Sequence, residues 1–497
     1  MNDASQPRLG LGRRICAGPR TAHVFGVVPT LFVLLSGDLA AQARTGRAAI
    51  DALEYEPLEF KQPVVDRRAV SGVEVLMLED HELPLVSVHA YFRGGYGLFE
   101  RQFYAPAMGL PAMLRYGGTT TLPPDSVDET LEYYALQMSF GSAGGSVTST
   151  VNTLTEHLRT AVELWGSMLG NPGFDVDEIA AWRGRQLESV LRRRDDPGRL
   201  AFSEFNRLLY GDHPIGWEMD AGDLGAERVT PDRFRWVHRR IVCRDNLVLG
   251  VTGDVSWSGV EPLIEDLVGL IPSCETELPE SPTPTIRREP GVFLIERELE
   301  QSVVVMAHPT RVRLADEADY FSAMVGNSIL GGGGFSSRML RRVRTEEGYA
   351  YSAASVWTTP REHEGIVGAI TRTRPENTVP AINVILSTMA ELRNAPPTAQ
   401  ELSTTIDQIV NGFVFNFDTP GQIVARSMYY LAQDLPEDWL DRYWRGVRGV
   451  TRESVRDVFA EHLRPPEMTI LIVGDPDRIG RDQLEALGPV TVLEARK

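Results

Sequence analysis

The chain has 497 residues, well above the roughly 100–200 of a typical domain, so at least two domains are expected. Apolar residues make up 42% and charged residues 24%, an ordinary globular composition that excludes a mainly disordered, collagen-like or multi-span membrane chain. Lys plus Arg number 50 against 68 Asp plus Glu, and the net charge of −18 argues against a general nucleic-acid binder, for which phosphate attraction dominates.

Residues 1–43 read as a targeting segment. Arg8, Arg13, Arg14 and Arg20 form a positive start, VFGVVPTLFVLL (24–35) an apolar stretch, and Ala41-Gln42-Ala43 a small-residue cleavage site. The apolar run is shorter than the roughly 20 residues a membrane span needs, so a cleaved signal is expected, and with it a periplasmic or secreted protein with no stable membrane span. Residues 44–66 form a mixed entry segment. The first globular domain is placed at 67–275 and begins with two apolar runs around a polar turn (72–95), a hairpin-like start. An apolar segment (107–117), a helical stretch (126–138), a small and β-branched strand (142–153) and helices at 154–169, 175–194 and 199–209 follow. Strand 246–254 and helix 258–270 close this half. The Pro-rich stretch 276–290 reads as a linker.

The pattern then restarts in a second domain, 291–490. Strands 291–298 and 301–310 echo 72–95, and a helix with a Gly-rich turn follows at 318–334. Thr230–Asp254 aligns without a gap to Thr451–Asp475 at an offset of 221, with Thr230/Thr451, Arg235/Arg456, Val237/Val458, Gly253/Gly474 and Asp254/Asp475 identical. Repeated element order together with this alignment predicts a duplicated α+β domain. Of the three cysteines, Cys16 leaves with the signal; Cys243 and Cys274 either form one disulfide in an oxidising compartment or remain two buried thiols.

No two of the nine histidines are closer than eight residues, so no helix carries a His pair at i, i+4. His363 lies in a solvated loop, REHEG, and His81-Glu82 in a turn. The segments YFRGG (91–95), GGT (117–119), NPGF (171–174), RRRDDP (192–197), YGDHPIG (210–216) and LGGGGFSSRMLRRVRTEEGYAYS (330–352), in this order, resemble the insulinase/pitrilysin-type zinc metallopeptidases, the inverzincins, over roughly 55–485. The resemblance implies two homologous tandem α+β domains that close like a clam on an extended peptide. Active members of that family carry His-x-x-Glu-His on the first helix: two zinc ligands and a general base. Here those positions fall on Gly109, Ala112 and Met113, and the downstream ligand on Glu188 or Ser189, so no catalytic residue and no metal ligand is expected in this chain.

The second half departs in the other direction. The family's Arg/Tyr motif falls on Arg344 and Tyr351, after the glycines Gly331, Gly332, Gly333 and Gly334, and the resemblance makes these the substrate-binding residues. An Arg and a phenol can hydrogen-bond a peptide carbonyl and its developing oxyanion. FGSAGGSVTSTVN (140–152) is either the strand that pairs with substrate backbone or an ordinary internal strand. Bacterial relatives divide the work between two chains, and this one resembles the chain without zinc. The expectation is a non-catalytic, substrate-binding subunit of a secreted heteromeric zinc peptidase, with zinc supplied by a His-x-x-Glu-His partner. A catalytically inert scaffold or peptide-binding protein of the same fold is the alternative, and an autonomous peptidase with an unconventional metal site is the third reading.

Overall fold

The computed structural model describes residues 63–494; the expected signal, residues 1–43, and most of the entry segment lie outside them. Among the described residues no helix is long and apolar enough to cross a membrane.

Two six-stranded sheets organise the chain. The first contains β1 (Asp66–Val70), β2 (Val73–Glu79), β3 (Leu85–Arg93), β4 (Gln137–Ala143), β5 (Ser146–Leu154) and β6 (Leu247–Gly253), in the order β1-β2-β6-β3-β5-β4. The second contains β7 (Gly291–Glu296), β8 (Ser302–Thr310), β9 (Ala350–Trp357), β10 (Gly365–Thr373), β11 (Thr469–Gly474) and β12 (Val490–Val492), in the order β12-β7-β11-β8-β10-β9. Five strands of each sheet repeat one pattern. β2 runs parallel to β6 as β7 does to β11, and both pairs continue antiparallel into β3 and β8. The sixth strand breaks the repeat, because β1 is antiparallel to β2 whereas β12 is parallel to β7.

The order corrects one expectation. The runs within 72–95 are strands β2 and β3, but they do not form a hairpin: β6, some 150 residues later, inserts between them. β6 is buried at nearly every position, as a central strand covered on both faces must be. The identical threonines of the repeat have a physical reason. Thr230 and Thr451 each cap a helix, α6 (Pro231–Ile241) and α13 (Arg452–His462), accepting from the backbone N–H of Arg233 and Ser454.

One face of the first sheet packs on α1 (Tyr104–Tyr116), α2 (Pro124–Tyr133), α3 (Leu158–Gly170), α4 (Val176–Arg192), α6 and α7 (Trp257–Leu270). The second sheet has α8 (Ala318–Asn327), α9 (Thr378–Asn394), α10 (Ala399–Val414), α12 (Trp439–Arg448) and α13. The remaining helices are exchanged. α5 (Pro197–Tyr210) belongs to the first half by sequence, yet Leu200, Ala201, Phe205 and Leu209 pack on Phe293, Ile295, Val303, Val305 and Leu471 of the second sheet. α11 (Pro420–Ala432) returns the exchange, laying Val424 and Met428 on Leu76, Tyr91 and Val248 of the first. Gly250 permits this approach, since a Cβ there would collide with Met428 and Val424. Of the two alternatives for the cysteines, the disulfide holds: Cys243, after α6, is bonded to Cys274, just before the linker.

Candidate substrate-binding site

The region where active relatives hold zinc is apolar core. α1 is buried almost all round, as a helix apolar on every face must be. Gly109 faces α4 and α6; a Cβ there would stand 2.7 Å from Trp182 and 3.1 Å from Phe234. Met113 is fully buried, and Trp182 and Phe234 meet edge to face at 6.1 Å. Glu188 lies on the exposed side of α4 and pairs with Arg192. Gly109, Ala112, Met113, Glu188 and Ser189 therefore do not fit a zinc ion.

Three histidines are taken up by neighbouring groups of the fold. His238 Nε2 meets the Leu169 carbonyl at 2.7 Å, His308 Nε2 accepts from the Arg464 backbone N–H at 2.9 Å, and His89 Nδ1 meets Thr150 Oγ1 at 3.0 Å. His81 sits in its turn beside Asp254, and His363 contacts the Glu364 carbonyl. Among the described residues one group of three potential ligands occurs, Asp319 in the first turn of α8 with Glu461 and His462 at the end of α13; there His462 pairs with Asp319 at 3.4 Å and both carboxylates are exposed.

Burial has a consequence for acid stability. It lowers His89 and His238 from the ordinary 6.5 to about 4. Between these values the unfolded chain binds more protons, so stability rises with pH. Each imidazole contributes on the order of 3 kcal/mol above pH 6.5 that is lost by about pH 4. Urea midpoints are expected to fall steeply from pH 6.5 to 4, and His89→Gln to flatten that slope. A variant slope equal to the wild type would refute this assignment.

The second half builds a different place. α8 runs into a π-helical turn, Ser328–Gly332, of the kind that recurs at functional sites. Ser355 Oγ on β9 donates to Asn327 Oδ1 at 2.7 Å, holding the turn against the strand. Gly331 is required there because a Cβ would strike the Ser355 backbone. The Gly333 N–H donates to the Ser328 carbonyl at 2.9 Å, and Gly334 turns the chain at φ +67. A second π-helical turn, Arg341–Glu346, carries Arg344, and Gly348 (φ +67) leads into β9 and Tyr351.

These segments bring Arg344, Tyr351, Gly331, Gly332 and Gly334 around one open cavity of about 410 Å³; Gly333 closes the turn behind it instead of lining it. The Arg344 guanidinium carbon lies 4.4 Å from the Tyr351 ring centroid and 5.1 Å from that of Phe335. Both rings are largely exposed, at 77% and 80%. Phe335 escaped the sequence reading, although a large apolar residue directly after four glycines was a signal. The neighbouring arginines are neutralised within the chain. Arg338 forks Glu401 at 2.7 Å and holds its carboxyl at about 2, while Arg341 pairs with Glu346 and Arg342 with Glu391. Arg344 has no carboxylate within ion-pair distance among the described residues.

β4 closes the first sheet and pairs only with β5. Of the segment 140–152, the part with an open edge is thus 140–143 on β4. Residues 146–152 lie on β5, which is paired on both sides by β3 and β4, so for them the internal-strand alternative holds.

A family model described as peptidase M16 inactive domain matches residues 228–409. An uncharacterized zinc protease of Streptomyces coelicolor is 24% identical over 328 residues, 64% of this chain and 70% of that protein. The non-peptidase homolog YmxG of Helicobacter pylori is 20% identical over 404 residues, 81% of this chain and 92% of that protein. Among solved structures, a peptidase M16 inactive domain from Pseudomonas fluorescens superposes with a TM-score of 0.74 at 24% identity, covering 83% of this chain and 98% of that one. The resemblance drawn from the motifs, and the α+β fold it implied, are borne out.

Proposed function

We propose that this chain, which has the peptidase M16 fold and matches that family's inactive-domain model, is the non-catalytic, substrate-binding subunit of a secreted heteromeric zinc peptidase. The observation that carries the reading is the contrast between the halves. The zinc region is filled by Trp182, Phe234 and Met113, while half-buried Arg344 and exposed Tyr351 stand beside an open cavity, with no carboxylate on the guanidinium among the described residues. Zinc and the general base come from a partner chain bearing His-x-x-Glu-His. Arg344 and the Tyr351 hydroxyl hold an extended peptide near the bond the partner cleaves. The open edge of β4 offers backbone pairing for the same peptide. The Cys243–Cys274 disulfide supports a periplasmic or secreted location, since such bonds persist in oxidising compartments.

The test is peptide cleavage by the purified mature chain, alone and mixed with a His-x-x-Glu-His chain encoded beside it. Cleavage is expected only in the mixture and is expected to be chelator-sensitive. The name of the Helicobacter relative favours the second reading, an inert scaffold or peptide-binding protein, and silence in both tubes would select it.

A further inference from the structure

We infer that the cavity beside Arg344 takes the carboxyl-terminal residue of a peptide, with its α-carboxylate on the Arg344 guanidinium and an apolar side chain against Phe335 and Tyr351. The inference rests on the reading of Arg344 and Tyr351 as substrate-binding and names the ligand class of that site.

The first reason is charge. Segment 338–344 carries four arginines, and three of them have carboxylates of this chain: Glu401, Glu346 and Glu391. Arg344 is the one left without among the described residues, although it is half-buried between two rings. A partly desolvated charge is costly until an anion completes it. A peptide carbonyl supplies a partial charge, whereas a carboxylate supplies a full one in the geometry that the guanidinium fork matches.

The second reason is the rest of the lining. Arg344 is the single charged residue around the cavity of about 410 Å³; the remainder is glycine backbone, small side chains of β9, Leu340, and the rings of Phe335 and Tyr351. Two large exposed rings flanking the guanidinium offer apolar surface that a bound side chain would cover. An apolar wall with one convergent cation suits an apolar residue ending in a carboxylate. A peptide held by its end would also reach the partner's metal in a fixed register, so that cleavage falls near the carboxyl terminus.

The experiment uses the mature chain without its partner and reads fluorescence anisotropy. The probes are amino-terminally labelled alanine hexapeptides ending in phenylalanine as the free acid, the same peptide as the carboxamide, and a carboxamide with glutamate in the last place. The free acid is expected to bind about tenfold tighter than the plain carboxamide. Arg344→Gln is expected to erase that difference, and Phe335→Ala to weaken the free acid several-fold while keeping it. Equal binding of acid and plain carboxamide, with Arg344→Gln weakening both, would overturn the carboxylate assignment and leave the substrate-binding reading standing. Equal binding of the acid and the glutamate carboxamide would overturn the terminal-residue assignment alone. Arg344→Gln without effect on any probe would overturn both.

Discussion

Writing the family's zinc pattern back into α1, as Gly109→His, Ala112→Glu and Met113→His, is expected to cost the fold and to bind no zinc. The reason lies in what replaced the ligands. At Gly109 even a Cβ stands 2.7 Å from the Trp182 indole, so an imidazole must push α1 and α4 apart. Overpacking a tight core costs about 1–3 kcal/mol, occasionally more. Met113 is fully buried in the apolar core, and a histidine there must bury its ring nitrogens, roughly another 1–3 kcal/mol. A carboxylate at half-buried Ala112 adds a desolvated charge. The sum is of the size of a whole domain's stability, about 5–15 kcal/mol. Gly109→His alone is expected to lower Tm by roughly 5–10 °C, and the triple variant to be insoluble or molten by near-ultraviolet circular dichroism. One tightly bound zinc per chain at an unchanged Tm would contradict the argument.

How much of this was legible in the sequence follows from what a pattern encodes. Alternating and 3.6-residue periodicities report that a face is buried, so most elements of the first half and the first strands of the second could be read, whereas β4 and β5 merged into one strand and β9, β10 and β12 were not singled out. Such periodicities do not report what buries the face. The inward residues of α5 and α11 gave no sign that each helix crosses to the other half's sheet, and nothing in 72–95 showed that β6 would separate β2 from β3. The repeat carried more, because Thr230/Thr451 mark helix caps at equivalent places, and equivalent caps imply the equivalent strand order found in both sheets. At the site, motif spacing located Arg344 and Tyr351 and four glycines. It could not say that Gly331 serves contact with β9 while Gly333 only closes the turn, since both read alike as glycine. Periodicity passes over Phe335, a lone aromatic in a glycine-rich loop, and only its position directly after four glycines pointed to it. Its meaning comes from the guanidinium it faces.

Arg344→Ala is expected to lower kcat/KM of the assembled two-chain enzyme by about 10–10²-fold, the loss of one charge-assisted contact with the peptide. Assembly and stability should hardly change. Arg344 makes no ion pair within the chain among the described residues, and its contacts are the faces of two exposed rings, worth about 0.5–1 kcal/mol each. The separation of these two effects is what distinguishes a substrate-binding arginine from a structural one. Arg342 provides the comparison, being two residues away on the same π-helical turn and paired with Glu391. Arg342→Ala removes the same charge, so a purely long-range effect would lower both variants alike, whereas contact with substrate would lower only the first. Arg344→Lys separates charge from geometry: it keeps the cation but loses the planar fork, and should fall between alanine and wild type. Tyr351→Phe keeps the ring beside the guanidinium and removes only the hydroxyl, so a loss there reports a hydrogen bond made in the transition state and not packing. The complex is to be quantified by size-exclusion chromatography in parallel with cleavage rates. Unchanged cleavage in both Arg344→Ala and Tyr351→Phe, with the complex intact, would remove the pair from the reaction and leave the exposed cavity to the scaffold reading.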